Sequence, residues 1–200
     1  ARLTNGPRDN RHHLAHLQVV HPDDLARFAA LDATANIQSL WAVHEAQMDD
    51  LTIPFLGERR AAWQYPFGAL QAAGARLASG SDWPVSSPDP LAAIHVAVNR
   101  TSPDEPHAKP FFPENRIDLA TALSSYTAGS AWVNHRDLSS GQLRIGSQAD
   151  VVVLDRRVDD VEVEGRRSRR ALTLGEDLDV AFDVELGQDA EERVRLDQLR

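Results

Sequence analysis

A histidine and an aspartate that follow short apolar segments are the residues of this chain best suited to chemistry. His16 lies in AHLQ, and Asp82 lies in GSDWPV, between an apolar run and a proline-broken loop. In parallel α/β folds, reactive groups collect at the carboxyl ends of strands. An imidazole offers a metal a neutral nitrogen, and a carboxylate can bind the metal or accept a proton from an attacking water molecule. The pair predicts a hydrolytic metal site. A turn-forming aspartate and a core histidine are the alternatives that the residues alone leave open.

Four further residues are candidate substrate contacts. Asn36 and Gln38 lie at the end of the second predicted strand, where an amide can bind substrate or orient a ligand histidine. His44 lies in the next loop, where simple solvent exposure is the alternative. Trp83 adjoins Asp82, and packing accounts for a large aromatic residue there equally well.

Alternating strands and helices are predicted to position these residues. Alternation of apolar residues predicts the strands. Helix-start signals, such as Pro22 followed by two aspartates, predict the helices. This alternation is typical of parallel βαβ units. A long loop is expected at 41–65. The predicted strands are 11–20, 34–40, 75–79 and 149–155, and the predicted helices are 21–32, 66–74, 89–100 and 118–133.

Composition restricts the functional class. The 200 residues are 42% apolar and 26% charged, as in a soluble globular protein. No apolar run approaches the ~20 residues of a membrane span, so no membrane partner is expected. The net charge of −9 argues against a general nucleic-acid binder. Cysteine is absent, which excludes disulfides and thiolate ligands and favours a cytoplasmic location.

Three segments together resemble a known family. They are RHHLAHLQVVHPDD (11–24), the stretch from WQYPFGALQ to HVAVNR (63–100), and GQLRIGSQADVVVLD (141–155). In this order they look like the C-terminal portion of amidohydrolase family 3, which belongs to the metal-dependent amidohydrolases and includes enzymes similar to N-substituted formamide deformylase. The likeness covers about residues 11–155.

The resemblance implies an α/β fold, a (β/α)8 TIM-type barrel with a small β-sandwich. This chain would supply barrel strands six to eight and a segment of the sandwich. The expected division is a C-terminal barrel part at 1–138, a sandwich segment at 139–158, and a charged tail without a family match at 159–200.

The resemblance also implies roles for single residues. His16 would be the metal-ligand histidine of strand six. Asp82 would be the aspartate of strand eight, which binds metal, activates the attacking water and passes its proton to the leaving amine. The implied cofactor is one or two divalent metal ions, zinc in particular. The family's paired-histidine motif is absent, and the only lysine, Lys109, lies in a proline-rich loop rather than at a strand end. The remaining ligands are therefore expected in N-terminal sequence that this chain lacks, and the isolated chain is expected to be inactive.

The implied activity is hydrolysis of carbon–nitrogen bonds in a small non-peptide amide or formamide, and the complete enzyme could form a homo-oligomer. The alternative is a catalytically incomplete partial product without activity of its own. A small binding module that uses barrel motifs without metal is a third hypothesis.

Overall fold

A short parallel sheet forms the centre of the fold. The computed structural model describes residues 8–154 together with Thr4 and Gly6. Within these residues the sheet has the strands β1 (His13–His16), β2 (Thr34–Ile37) and β3 (Leu77–Ser79), in the order β1-β2-β3. Both pairs are parallel. The parallel arrangement predicted from the alternation of elements is therefore confirmed.

The register aligns the carboxyl ends of the strands. His16 is paired with Ile37, and Ile37 is paired with Ser79. The strands are shorter than predicted. In particular, β1 was expected to run to residue 20 but ends at His16, because His16 and Leu17 have left-handed backbones with φ of 66° and 55°. A left-handed residue cannot continue a pleated strand.

Helices connect and cover the strands. A 3-10 turn at Pro22–Asp24 leads into the first helix, and the His21 side chain accepts a hydrogen bond from the Asp23 amide at its start. Gly74, with φ of 82°, follows the third helix and allows the left-handed ending that glycine tolerates best. The α-helices are α1 (Leu25–Ala30), α2 (Ile53–Ala61), α3 (Phe67–Ala72), α4 (Pro90–Asn99), α5 (Leu119–Ser124) and α6 (Ser130–Val133), with further 3-10 turns at Ser39–Trp41 and Pro113–Asn115 and π-helical turns at Gln47–Thr52 and Ser125–Gly129.

Two sequence predictions about elements are wrong. The expected loop at 41–65 contains the π-helical turn Gln47–Thr52 and helix α2. Its helical pattern is hidden because Pro54 and Gly57 interrupt it, and Gly57 has a non-helical backbone with φ of 70°. The expected strand at 149–155 is not formed over its described part, where Val151, Val152 and Val153 are exposed. A strand needs a partner, and no described segment pairs with these valines. The predicted tail at 159–200 lies outside the described residues.

The core lies around β2 and β3. Ile37 on β2 and Phe67 and Leu70 on α3 are fully buried, and burial of such a side chain contributes about 1.5–3 kcal/mol. The turn that links α5 and α6 packs directly on β3. A Cβ atom at Gly129 would lie 2.2 Å from the carbonyl oxygen of Leu77, so only glycine fits there. The described helices include none that is both long enough and apolar enough to cross a membrane.

Candidate active site

The structure brings His16 and Asp82 to the same edge of the sheet. His16 is the last residue of β1, and Asp82 follows the end of β3 by three residues. β2 lies between them, so the two strands are about 10 Å apart, twice the spacing of neighbouring strands. Both side chains are exposed. His16 is therefore not a core histidine. Both residues face solvent at the carboxyl ends of strands.

Both residues have backbones that side chains other than glycine rarely adopt. The φ angles are 66° at His16 and 59° at Asp82. A left-handed residue of this kind costs of the order of 1–3 kcal/mol and persists only where its surroundings hold it. Such residues cluster at functional sites. Seven other described non-glycine residues, Asp32 among them, also have positive φ, so the angle alone does not distinguish this edge.

Gln38 connects the ends of the strands. Its Oε1 accepts a hydrogen bond from the backbone N–H of His16, and its Nε2 donates to Oδ1 of Asn36 at 2.8 Å. Its exposed fraction is only 5%, whereas Asn36 is half-buried. Gln38 was predicted either to contact substrate or to orient a ligand histidine, and the structure places its amide inside the protein. Asn36 lies in the same network, nearer to solvent.

A tight turn presents Asp82. The Val85 amide donates to the carbonyl oxygen of Asp82 at 2.8 Å, and the Ser86 hydroxyl donates to the carbonyl oxygen of Ser81. The turn thus uses main-chain atoms of Asp82 and leaves its carboxylate exposed. Trp83 has an exposed fraction of 67%. Packing in a core does not account for Trp83, which lies on the surface and follows Asp82 directly in the chain.

His44 is oriented by a carboxylate. Its Nδ1 lies 2.8 Å from Oδ1 of Asp49, and its ring meets the buried ring of Phe111 edge-on, with centroids 5.1 Å apart. A histidine held by a carboxylate has a fixed ring direction and a free second nitrogen. The side chain is partly exposed. Sequence reasoning missed Asp49, since the two residues meet only through the π-helical turn that it did not predict.

The donor chemistry of the edge suits a divalent metal in part. Imidazole nitrogen and carboxylate oxygen are both zinc ligands, and here they come from different strands. A catalytic zinc takes at least three protein ligands. Across the described part of the chain, no three His, Cys, Asp or Glu residues gather closely enough to hold an ion. His16 and Asp82 thus have the donor types of zinc ligands, but the described residues do not form a complete ligand set by themselves.

Comparison with known proteins identifies relatives along most of the chain. "Protein LONG AFTER FAR-RED 3" of Arabidopsis thaliana is 36% identical over 75% of this chain and 25% of its own length. "Putative amidohydrolase YtcJ" of Bacillus subtilis is 29% identical over 74% of this chain and 28% of its own length. The chain thus spans about a quarter of the length of these curated relatives.

Solved structures of two hydrolases have the same fold over the matched region. An uncharacterized metal-dependent hydrolase from Pyrococcus horikoshii superposes with a TM-score of 0.63 at 27% identity, over 78% of this chain and 30% of that one. Its counterpart from Pyrococcus furiosus gives a TM-score of 0.55 at 27% identity, over 70% and 27%. These likenesses confirm the predicted α/β fold of a metal-dependent hydrolase.

The model of the amidohydrolase family, in the branch amidohydrolase family 3, matches residues 1–181. The match continues into the segment 159–200, so a lack of family match applies only beyond residue 181. With nearly the whole sequence matched, and with relatives and solved structures of the same kind, the chain belongs to the amidohydrolase family.

Proposed function

We propose that the complete protein carrying this chain is a metal-dependent hydrolase of carbon–nitrogen bonds in small non-peptide amides or formamides. The observation that carries the proposal is the placement of His16 and Asp82, both exposed and both left-handed, at the carboxyl ends of strands on one sheet. Active sites of parallel barrels lie at this edge. The formamide deformylase-like branch is the one whose sequence motifs this chain resembles.

The same proposal covers the architecture. β1, β2 and β3 would be strands six to eight of a (β/α)8 barrel, with 1–138 in the barrel and 139–158 in a small β-sandwich. Support comes from the parallel order of the strands, and from the chain's span of about a quarter of its relatives. A complete barrel typically takes about 250 residues.

The proposed chemistry divides the work between the two residues. A divalent metal ion such as zinc, when bound, would polarise the scissile carbonyl group and make water nucleophilic near neutral pH. His16 and Asp82 would hold it, together with ligands from elsewhere in the complete protein. The Asp82 carboxylate accepts a proton from the attacking water. It then donates this proton to the amide nitrogen as the carbon–nitrogen bond breaks, so that the amine leaves neutral.

Substrate contacts are proposed for two partly or largely exposed side chains in the segments that follow β2 and β3. His44 has Nδ1 engaged by Asp49, and its Nε2, without a hydrogen-bond partner among the described residues, would bind a polar group of the substrate. Trp83, the residue after Asp82, has an exposed ring. Asn36 is a further candidate, since it is half-buried and already accepts a hydrogen bond from Gln38.

Metal analysis and amide-hydrolysis assays on the complete protein and on the 200-residue chain test the proposal. The complete protein should bind a divalent metal and hydrolyse members of a panel of N-substituted formamides and amides, and the isolated chain should do neither. Stoichiometric zinc and turnover in the isolated chain would overturn the proposed division of the site. A metal-loaded complete protein that hydrolyses no member of the panel would overturn the proposed function.

A further inference from the structure

We infer that Gln38 is a positioning residue that fixes the main chain of His16, and with it the direction in which the imidazole leaves the sheet. The inference rests on the proposed function in one respect, namely that His16 is a metal ligand. It concerns an amide that makes no direct contact with metal or substrate.

The contacts of Gln38 use both ends of its side chain. Oε1 accepts the N–H of His16, on β1, and Nε2 donates to Oδ1 of Asn36, on the strand that precedes Gln38. Each hydrogen bond fixes the orientation of the other, because an amide that is held through Nε2 must present Oε1 in a fixed direction.

The third strand closes the space around this amide. A Cβ atom at Gly80, the residue after β3, would lie 3.4 Å from Nε2 of Gln38 and 3.7 Å from Oδ1 of Asn36. The Gly80 amide in turn donates to the carbonyl oxygen of Ile37 on β2. One buried side chain thus lies among the carboxyl ends of β1, β2 and β3, where it cannot turn away without leaving polar atoms unpaired.

The left-handed backbone explains why His16 needs this support. At φ of 66°, His16 has left the geometry of β1, and Leu17 continues in the left-handed region. Such conformations persist where surrounding contacts determine them. The hydrogen bond from the His16 amide to Gln38 is a contact of that kind, made at the residue whose side chain must point at the metal.

Three variants of the complete protein separate positioning from simple stability. Gln38→Leu introduces an apolar side chain of similar size and removes both hydrogen bonds. Gln38→Glu keeps an oxygen that accepts the His16 amide, and the Asn36 amide can rotate to donate its Nδ2 to the carboxylate. Gln64→Leu is the matched control, because Gln64 is also a buried glutamine, is joined to Gln18 at 3.3 Å, and has no hydrogen-bond partner at Nε2 among the described residues.

Two readouts are measured besides activity: affinity for zinc by competition with a chelator, and hydrogen exchange of the His16 amide in metal-free protein. We expect Gln38→Leu to weaken zinc binding by about 10- to 100-fold, as loss of a residue that orients a ligand does, and to speed exchange at His16. Gln38→Glu should stay within a few-fold of the unchanged protein in both measurements. Gln64→Leu should leave both unchanged.

The outcomes are distinct. A purely structural role predicts that Gln38→Glu, which buries a charge, harms the protein at least as much as Gln38→Leu, and this order would overturn the inference. Unchanged zinc affinity in Gln38→Leu would overturn it as well. If Gln38→Leu does not fold, a large loss of zinc affinity in Gln38→Glu is the overturning result. His16→Ala distinguishes a failure of this inference from a failure of the proposed function. Unchanged zinc affinity in that variant would overturn the role of His16 as a metal ligand.

Discussion

The role of Asp82 as general base can be tested directly by replacing its carboxylate with an amide. Asp82→Asn keeps the size of the side chain, and asparagine tolerates the left-handed backbone found there. The amide cannot accept the proton of the attacking water at neutral pH. We expect kcat/KM of the complete protein to fall by about 10²- to 10⁴-fold, the usual effect of losing a positioned general base, with the melting temperature unchanged.

Asp32 offers a matched control for that substitution. It is an exposed aspartate with φ of 53°, and it lies after α1, ahead of β2 and so at the opposite end of the strands from Asp82. Asp32→Asn should therefore leave kcat/KM unchanged. Full activity in Asp82→Asn, or an equal loss in both variants, would contradict the role of Asp82 as the base.

The His44–Asp49 pair tests whether an oriented imidazole contacts the substrate. His44→Gln should raise KM by about 2- to 10-fold, the equivalent of one net hydrogen bond. Asp49→Asn should also raise KM, because the ring of His44 loses its fixed orientation. The double substitution should cost little more than His44→Gln alone, since the two residues act through one contact.

His21 provides the comparison for that pair. It also faces an aspartate, with Nδ1 3.6 Å from Oδ2 of Asp23, but it lies at the start of a helical turn and caps it. His21→Gln should leave KM unchanged. Additive effects of His44→Gln and Asp49→Asn on KM would show that the two side chains act independently.

At the scale of elements, Asp118 determines the start of α5. Its Oδ1 accepts the Thr121 amide at 2.7 Å, and its Oδ2 accepts the Thr121 hydroxyl at 2.9 Å. The hydrogen bond from the Thr121 backbone lowers the pKa of Asp118 below its ordinary value of 3.8. Asp118→Ala should reduce the free energy of unfolding by about 1 kcal/mol, as loss of an N-cap does, and Asp118→Asn should cost much less.

The sign of the pH dependence follows from the lowered pKa. A carboxylate with a depressed pKa in the folded state stabilises it above the pKa of the unfolded state, and this contribution is lost as the pH falls through the folded pKa. The stability advantage of the unchanged protein over the Asp118→Asn variant should therefore be present above about pH 4 and vanish in more acidic solution. Denaturant unfolding of the unchanged protein and the variants at neutral and acidic pH measures this difference in the free energy of unfolding. A difference that does not change with pH would contradict the role of the Asp118 carboxylate as the helix cap.

Local signals explain which elements could be predicted from sequence. Proline and aspartate near Pro22 and Pro90 act through the first turn of their own helix, so the starts of those helices could be placed. The end of β1 could not, because the amide of His16 is held by Gln38, 22 residues along the chain. The structure of the valines at 151–153 could not be predicted either, because they have the residue type typical of strands but no partner strand among the described residues.

The candidate site illustrates the same difference. Residue types and motif resemblance were enough to predict that His16 and Asp82 lie at the ends of strands, where the structure places them, and their roles in the site stay predictions. The residues that orient other candidate side chains could not be predicted in this way. Asp49, for example, reaches His44 through a π-helical turn. The buried position of Gln38 likewise depends on three strands at once.

At the scale of the whole molecule, the open side of the sheet is the main feature. All four residues of β1 are exposed, and within the described residues β1 pairs with β2 alone. Beside it, apolar side chains of the strand end and of α1 form a groove of about 310 Å³ that includes Leu14, Leu17 and Leu31. An unpaired edge next to an exposed apolar surface favours association with another chain.

The isolated 200-residue chain should therefore self-associate, and a charge on β1 should oppose this. Leu14 has an exposed fraction of 49%, and Leu14→Lys places a cation on the open strand, a common feature of strands that avoid pairing. We expect sedimentation at increasing concentration to show oligomers for the unchanged chain and a shift towards monomer for Leu14→Lys. Phe55→Lys is the matched control, because Phe55 is 80% exposed but lies on α2 rather than on β1. A cooperative, monodisperse monomer for the unchanged chain, or an equal effect of both substitutions, would show that the edge of β1 does not drive association.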